Sequence, residues 1–290
     1  MKKVLASVAI ASLLFSCSEK PDTDKSDSDR IPLNLSVTIK WSKDTDKNFQ
    51  TGAEIGVYVV NYNGSNPDVL KSKGNLADNV RFIYDGSDWN TNEEVFLTGD
   101  NASACYVYYP YTSSIASPTE YLFSVQKDQS IKENYDASNF LWGEDNYIDV
   151  SWGKDGIAVS KEASISTESP LSLVKIILQP GNGFTEDTWN AVIKSVRISG
   201  VKTSAIINLS TGFVTATGNA GEIIPLATSE DKFEAIMIPQ KIADNSRIVV
   251  INVDGIDYFY YSGAKFEAAR AHRFVLTINK TENTVDGWFV

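Results

Sequence analysis

The sequence predicts an all-β protein with very little helix, organised as two tandem β-sandwich domains. Short segments rich in Val, Ile, Tyr and Phe recur along the chain, and several alternate apolar with polar residues, as half-buried strands do. Asp-Gly and Gly-Asp pairs separate many of these segments, and such pairs favour tight turns between strands. The chain has 290 residues, which is enough for two domains of ordinary size. Together these observations predict the fold class.

Residues 1–16 are predicted to be a signal peptide. Lys2 and Lys3 precede an apolar run that is too short to cross a bilayer as a permanent helix. The sequence Leu-Phe-Ser-Cys at 14–17 resembles the lipobox of bacterial lipoprotein precursors, in which the Cys receives a diacylglycerol before cleavage. We therefore expect Cys17 to carry acyl chains, palmitate included, that anchor the protein in a membrane. The alternative is an ordinary secretory signal that contains a Cys.

Residues 17–32 are predicted to be an acidic tether, because they offer too few apolar side chains to build a core. This acidity resembles the export signals that deliver lipoproteins to the outer face of the outer membrane. The stretch DTDKSDSD at 22–29 lacks the central Gly and closing Glu of a calcium loop, so we interpret it as plain tether. The formal net charge is −11 and no contiguous basic segment is present, which argues against nucleic acid as a partner.

Residues 33–160 are predicted to form the first sandwich. Apolar residues alternate with polar ones in its opening segment, LNLSVTIKW, which indicates a half-buried strand. The apolar side chains that face one way in this strand are Leu33, Leu35, Val37, Ile39 and Trp41. The run IGVYVV at 55–60 is apolar throughout, as in a central strand that is covered on both faces.

Residues 161–290 are predicted to form the second sandwich, with the boundary in the polar stretch 153–169. Hairpin turns are expected at Asn-Leu-Ser-Thr-Gly and at Val-Asp-Gly, where Gly supplies a positive φ. One short helix is expected in TEDTWNAVIKSV, with Thr185 as its N-cap.

The sequence carries no signature of catalysis, so we predict no enzymatic activity, no cofactor and no metal. It contains no G-x-S-x-G, phosphate-loop, dinucleotide or zinc pattern. His272 is the single histidine and stands where a strand begins, which favours a surface or structural role. Glu93 and Glu94 would face opposite sides of a strand and cannot act as a pair. Cys105 lies in an apolar strand and has no disulfide partner if Cys17 is acylated.

Two aromatic clusters, at 105–111 and 258–261, place rings on both faces of their strands. We interpret them mainly as core or inter-domain packing. Rings left on the surface would suit the stacking of a sugar or contact with a host protein. This is the alternative class of function, a surface lipoprotein that binds a glycan or a host protein and does not polymerise.

The order of several segments resembles the fimbrillin family, the pilin superfamily of type V pili with its fimbrillin-like lipoproteins. The resemblance covers nearly the whole chain. The segments that carry it, besides the lipobox, are LNLSVTIKW, GDNASACYVYYPY, NFLWG, FEAIMIPQKI and GAKFEAARAHRFVLTINKT. It implies two Greek-key, transthyretin-like sandwiches in a lipidated precursor that supports adhesion as a fimbrial subunit.

The resemblance also implies donor-strand exchange between neighbouring subunits. A protease removes the first strand, here LNLSVTIKW, and a C-terminal strand of the next subunit fills the vacated groove by β-augmentation. Well-understood members are cut after an arginine. The loop that follows this strand offers Lys43 and Lys47, whereas Arg30 precedes it. If neither lysine is cut, the strand is permanent and the subunit is an anchor or a cap.

The candidate donor residues lie in the last two apolar segments of the sequence. They are Phe274, Leu276, Ile278, Trp288 and Phe289. The alternative is that these segments complete the sheet of their own domain. The expected partners are therefore neighbouring pilin subunits, the outer membrane through Cys17, and a host protein or glycan receptor.

Overall fold

A computed structural model describes residues 30–40, 48–98, 101–152, 158–160 and 162–290. In these ranges the chain is almost entirely β-strand, which confirms the all-β prediction. The strands up to residue 167 are β1 (Arg30–Pro32), β2 (Leu35–Ile39), β3 (Glu54–Asn63), β4 (Asn66–Pro67), β5 (Ala77–Tyr84), β6 (Trp89–Asn90), β7 (Phe96–Thr98), β8 (Ser103–Tyr109), β9 (Tyr121–Ser124), β10 (Leu141–Ile148), β11 (Val150–Trp152), β12 (Ala158–Ser160) and β13 (Ala163–Thr167).

The remaining strands follow residue 171 and form the C-terminal half of the chain. They are β14 (Ser172–Pro180), β15 (Lys194–Asn208), β16 (Phe213–Ile223), β17 (Leu226–Ser229), β18 (Lys232–Met237), β19 (Gln240–Ile242), β20 (Arg247–Val253), β21 (Ile256–Tyr261), β22 (Ala264–Phe266), β23 (Arg270–Asn279) and β24 (Thr284–Phe289). Two short helices, α1 (Lys132–Ala137) and α2 (Glu186–Ala191), interrupt the strands. Within the described ranges, no helix combines the length and the apolar character needed to span a bilayer.

The N-terminal half is built on a sheet with the order β10-β8-β3-β5-β6, in which neighbouring strands are antiparallel. The pairs β13–β2 and β1–β7 pack over one face of it. Ile55, Val57 and Val59 of β3 contribute to the core beneath those pairs, whereas Tyr58 and Val60 join a second core on the opposite face. The sequence-based prediction that this strand is covered on both faces is therefore confirmed.

The C-terminal half is a sandwich of two sheets, with the orders β17-β18-β14-β23-β24 and β16-β15-β20-β21. β14 and β23 run parallel, and the other neighbouring strands are antiparallel. Alternate residues of the two sheets fill the space between them, such as Val174 and Leu276 from one sheet and Ile198 and Ile251 from the other.

Two strands cross the boundary that the sequence analysis places at 160. β13 follows that boundary, yet it pairs with β2, and its Ala163 and Ile165 belong to the N-terminal core. β9 precedes the boundary and pairs with β15 of the C-terminal half. Alternation within a segment shows that it is a strand but not which distant strand it joins, so these pairings were not predicted.

Buried polar contacts reinforce the junction between the halves. The Gln129 side chain donates through Nε2 to the carbonyl oxygen of Ile236 at 2.8 Å and accepts from the Ile236 amide at 2.9 Å. Gln129 is fully buried, so these bonds satisfy an amide that would otherwise be costly to remove from water. The side chain thus pairs with β18 much as a short strand would.

The predicted helix in the C-terminal half is confirmed as α2. The Thr185 hydroxyl accepts from the Thr188 amide, and the Thr188 hydroxyl accepts from the Thr185 amide, which together form a capping box. Trp189 on the same helix is buried.

Candidate functional site

The first candidate strand, β2, has a hydrogen-bonded strand on one edge only. Among the described residues, β13 is the sole strand that pairs with it, in a parallel register from Leu35 opposite Ala163 to Ile39 opposite Thr167. The pairing extends past its end, where the Lys40 amide donates to the Thr167 carbonyl oxygen at 2.7 Å. On the opposite edge the contact is a side chain, Trp89 Nε1, which donates to the Val37 carbonyl oxygen at 3.3 Å.

The two faces of β2 differ in burial as the sequence alternation predicts. Leu35 and Val37 are 8% and 7% exposed and belong to the N-terminal core, against which Leu33 and Ile39 also pack. Thr38 points to solvent on the other face. Trp41, the fifth apolar residue of the predicted strand, lies outside the described residues.

The segment before β2 changes its pairing partner. The sequence predicts one continuous strand over 33–41, but the structure has β1, which pairs antiparallel with β7, and then β2, which pairs parallel with β13. The Leu33 amide donates to the Val95 carbonyl oxygen at 2.9 Å, next to the point where the chain passes from one partner to the other. A continuous alternation cannot reveal such a change of partner.

The candidate cleavage positions fall in different settings. Arg30 lies in β1, where its backbone pairs with Thr98. A paired backbone is a poor protease substrate, because the chain must be extended and accessible to be cut. Lys43 and Lys47 lie outside the described residues, as does the lipidation candidate Cys17.

The last strand, β24, also lies at a sheet edge. Among the described residues it pairs only with β23, and the ladder continues through two hydrogen bonds between the backbones of Arg273 and Val290. Val285 and Phe289 turn toward the core, whereas Trp288 is 54% exposed on the other face. Edge strands of this kind leave one row of backbone groups available for a further strand.

Phe289 makes the main apolar contacts of β24. Its ring centroid is 4.8 Å from that of Phe274 and 5.5 Å from that of Phe266, and the ring stacks on His272 at 5.4 Å. The pairing also depends on Gly287, because a Cβ there would stand 2.4 Å from the Val275 carbonyl oxygen. Sequence reasoning missed the role of Gly287, since a lone Gly in a strand signals close backbone approach but not its partner.

The comparisons with known proteins agree with this arrangement. The family model described as fimbrillin-like matches residues 42–288. The chain belongs to the fimbrillin-like family. The match begins just after β2, so the strand that the resemblance marks for removal precedes it. No curated protein matches this fimbrillin-like chain.

Solved structures similar to this fimbrillin-like protein share its fold at low identity. A Bacteroides ovatus protein assigned to cell adhesion superposes with a TM-score of 0.67 at 14% identity, over 90% of this chain and 96% of its own. A Bacteroides uniformis protein assigned to cell adhesion gives 0.62 at 18% identity, over the same shares. A fimbrial protein of Bacteroides vulgatus gives 0.51 at 10% identity, over 90% of this chain and 98% of its own.

The five candidate donor residues lie on two different strands of this fimbrillin-like chain. Phe274, Leu276 and Ile278 are fully buried on β23, which lies between β14 and β24. Their release would split the sheet in the middle. Trp288 and Phe289 lie on β24, which can leave without breaking any other pairing in the sheet. The structure therefore brings together β23 and β24, but only the latter occupies an edge.

His272 is a buried structural residue next to the last strand. It is 7% exposed, and its Nε2 accepts a hydrogen bond from the Glu267 amide at 2.9 Å. Burial lowers the pKa of the imidazole below its ordinary value, although that hydrogen bond and the charge of Glu267 act in the opposite direction. The neutral ring that stacks on Phe289 is therefore the favoured form.

The aromatic clusters divide between core and surface. In the first cluster Tyr106 and Tyr108 are buried, and burial raises the pKa of the neighbouring Cys105 thiol. In the second, Tyr258 and Tyr260 are buried while Phe259 and Tyr261 are 39% and 57% exposed. No group of three or more His, Cys, Asp or Glu side chains suited to a metal ion occurs within the described residues.

Proposed function

We propose that this protein is a non-enzymatic structural subunit of a surface fimbrium, exported as a lipoprotein through Cys17 and assembled by donor-strand exchange. In this proposal a cut after Lys43 or Lys47 frees β2, and β24 of a neighbouring copy takes its place beside β13. Adhesion is the role of the assembled fimbrium. Family membership supports the fimbrial part, and the placement of the two edge strands supports the exchange.

The single observation that carries the proposal is that β2 and β24 are both edge strands with an apolar face of matching period. The core-facing residues of β2 are Leu35, Val37 and Ile39, and the corresponding positions of β24 are Val285, Gly287 and Phe289. Both sets recur at every second residue, so either strand can present three side-chain positions to the same trough. This match fixes a register for the exchange.

The energetics favour replacement once β2 is lost. Full burial of a Leu or Val side chain contributes about 1.5–3 kcal/mol, so loss of Leu35 and Val37 leaves the N-terminal core markedly weaker. Loss of β2 also leaves the hydrogen-bonding edge of β13 open, and exposed strand edges recruit further strands. A donor that restores both contributions is bound by main-chain hydrogen bonds and by side-chain burial.

Mass mapping of the N-terminus of cell-surface protein tests the proposal. A start at Asp44 or Asn48 is the expected result, because both positions follow the loop lysines and lie beyond β2. A lipid-bearing start at Cys17 in all of the material would contradict polymerisation and would favour the anchor. A start at Ile31 would indicate a released monomer that retains its own first strand.

A second candidate function, a non-polymerising surface lipoprotein that binds a glycan or host protein, rests on the exposed rings of Phe259 and Tyr261. These rings share one face of β21, at the edge of its sheet. Saturable carbohydrate binding that falls on Tyr261→Ala, in protein that stays monomeric after protease treatment, would favour this function over the fimbrial one.

A further inference from the structure

We propose that the groove between the two halves of the molecule docks an acidic, apolar segment of a second copy, namely residues 281–290. The inference rests on the proposed function for its choice of partner, because the same segment contains the proposed donor strand. It does not require cleavage, since the groove is open while β2 is in place.

The groove is large and continues from the end of β2. It encloses about 1580 Å³ and runs from Ile39 past the loop at 49–53 and α1 to the first residues of β23. Small-molecule pockets usually measure roughly 300–1,000 Å³, so this groove has room for a length of polypeptide. Apolar contacts are available along its course from Leu141, Leu173 and Ile236.

Its charge is opposite to that of the protein as a whole. The formal net charge of the chain is −11, yet four cationic side chains line the groove against two carboxylates. Two of the cations are already paired, Lys132 with Asp136, and Lys175 with Glu234 at 3.4 Å. The other two are Arg270 and Arg273.

The two arginines are the cations available to a ligand. Arg270 is 70% exposed and pairs only with Glu267, at 3.4 Å, outside the groove lining. Arg273 is exposed, and among the described residues no carboxylate pairs with its guanidinium. A guanidinium with free donors binds carboxylates readily and in fixed geometry.

The proposed occupant has the complementary chemistry. Residues 281–290 read TENTVDGWFV, with two carboxylates, Glu282 and Asp286, no cation, and the apolar residues Val285, Trp288, Phe289 and Val290. Trp288 and Val290 are 54% and 66% exposed while β24 is in its own sheet, so part of this apolar surface is already offered to a partner. A small pocket of about 50 Å³ that adjoins the groove at Arg270 and Ala271 is too small for such a segment.

The test is binding of a blocked synthetic peptide, TENTVDGWFV, to the uncleaved full chain. We expect saturable binding at low ionic strength that weakens about tenfold in the Arg273→Glu variant, which corresponds to about 1.4 kcal/mol. Lys241→Glu makes the same charge change at an exposed site outside the groove and should leave binding unchanged. A peptide with Gln and Asn in place of Glu282 and Asp286 should bind more weakly.

A photo-crosslinking version of the peptide locates the site. With benzoylphenylalanine in place of Trp288, we expect crosslinks to Leu173 or Tyr109 in the groove. No binding, binding that is equal in the Arg273→Glu and Lys241→Glu variants, or displacement by a neutral oligosaccharide but not by unlabelled peptide would overturn the inference. If the peptide binds in the groove while chains that start at Asn48 fail to polymerise, the proposed function fails and this inference stands.

Discussion

β2 and β24 are both edge strands, but they are attached to the molecule in different ways. β2 places Leu35 and Val37 in the N-terminal core at 8% and 7% exposure. β24 contributes no fully buried side chain, and its apolar contact depends on the partly buried Phe289 against the rings around it. The C-terminal sandwich therefore keeps most of its core when β24 leaves, whereas the N-terminal half loses part of its core with β2.

This difference suits the proposed exchange. A donor strand must leave its own sheet at little free-energy cost, and a strand that guards an acceptor site must not leave without a covalent cut. The predictions below test whether burial, rather than position at an edge alone, makes β24 the releasable strand.

The largest effect is expected for the strand next to β24. Phe274→Ala on β23 removes a fully buried ring and should lower the free energy of unfolding by about 3–5 kcal/mol. Phe289→Ala on β24 should lower it by only about 1–2 kcal/mol, because that ring is partly buried. Urea denaturation measures both. Equal losses would show that β24 is as integral to the sandwich as β23.

The next effect concerns β2. Val37→Ala should lower the free energy of unfolding by about 2 kcal/mol, since the side chain packs in the N-terminal core. Thr38→Ala, on the exposed face of the same strand, is the matched control and should change it by less than about 0.5 kcal/mol. A Val37→Ala loss no larger than that of Thr38→Ala would mean that β2 is not held by its apolar face.

Gly287 offers a way to loosen β24 alone. In Gly287→Ala the new Cβ meets the Val275 carbonyl oxygen at 2.4 Å, so the strand should dock less tightly by about 1–3 kcal/mol. Hydrogen exchange should then accelerate in β24 and not in β20. Gly221→Ala on the edge strand β16 is the control, because its Cβ would meet nothing within 4 Å. Unchanged exchange in β24 would contradict the close approach.

The smallest effect is a pH dependence carried by His272. Its pKa is lowered in the folded state, chiefly by burial, so its contribution to stability is complete above the ordinary value of about 6.5 and is lost as the pH falls below it toward the folded pKa. Exchange in β24 should therefore rise from pH 7 to pH 5. In His272→Gln, which cannot titrate, this rise should be smaller; an identical rise would assign it to other groups.

Much of the fold could be predicted from local sequence patterns. Alternation identified β2, the apolar run at 55–60 identified a doubly covered strand, and Thr185 identified the start of α2. The partners of β9 and β13 could not be predicted, because non-local pairing leaves no local signal. For the same reason, alternation marked Phe274 and Phe289 alike as donor candidates, although only one of them lies on an edge strand.

The central claim is that loss of β2 creates an acceptor for β24 of another copy. The most direct measurement compares, by mass photometry, the chain that begins at Asn48 with the same chain lacking residues 284–290. Our account predicts an assembly ladder for the former and monomers for the latter, with the full chain also monomeric. Monomers throughout, or a ladder that forms equally well without residues 284–290, would contradict it.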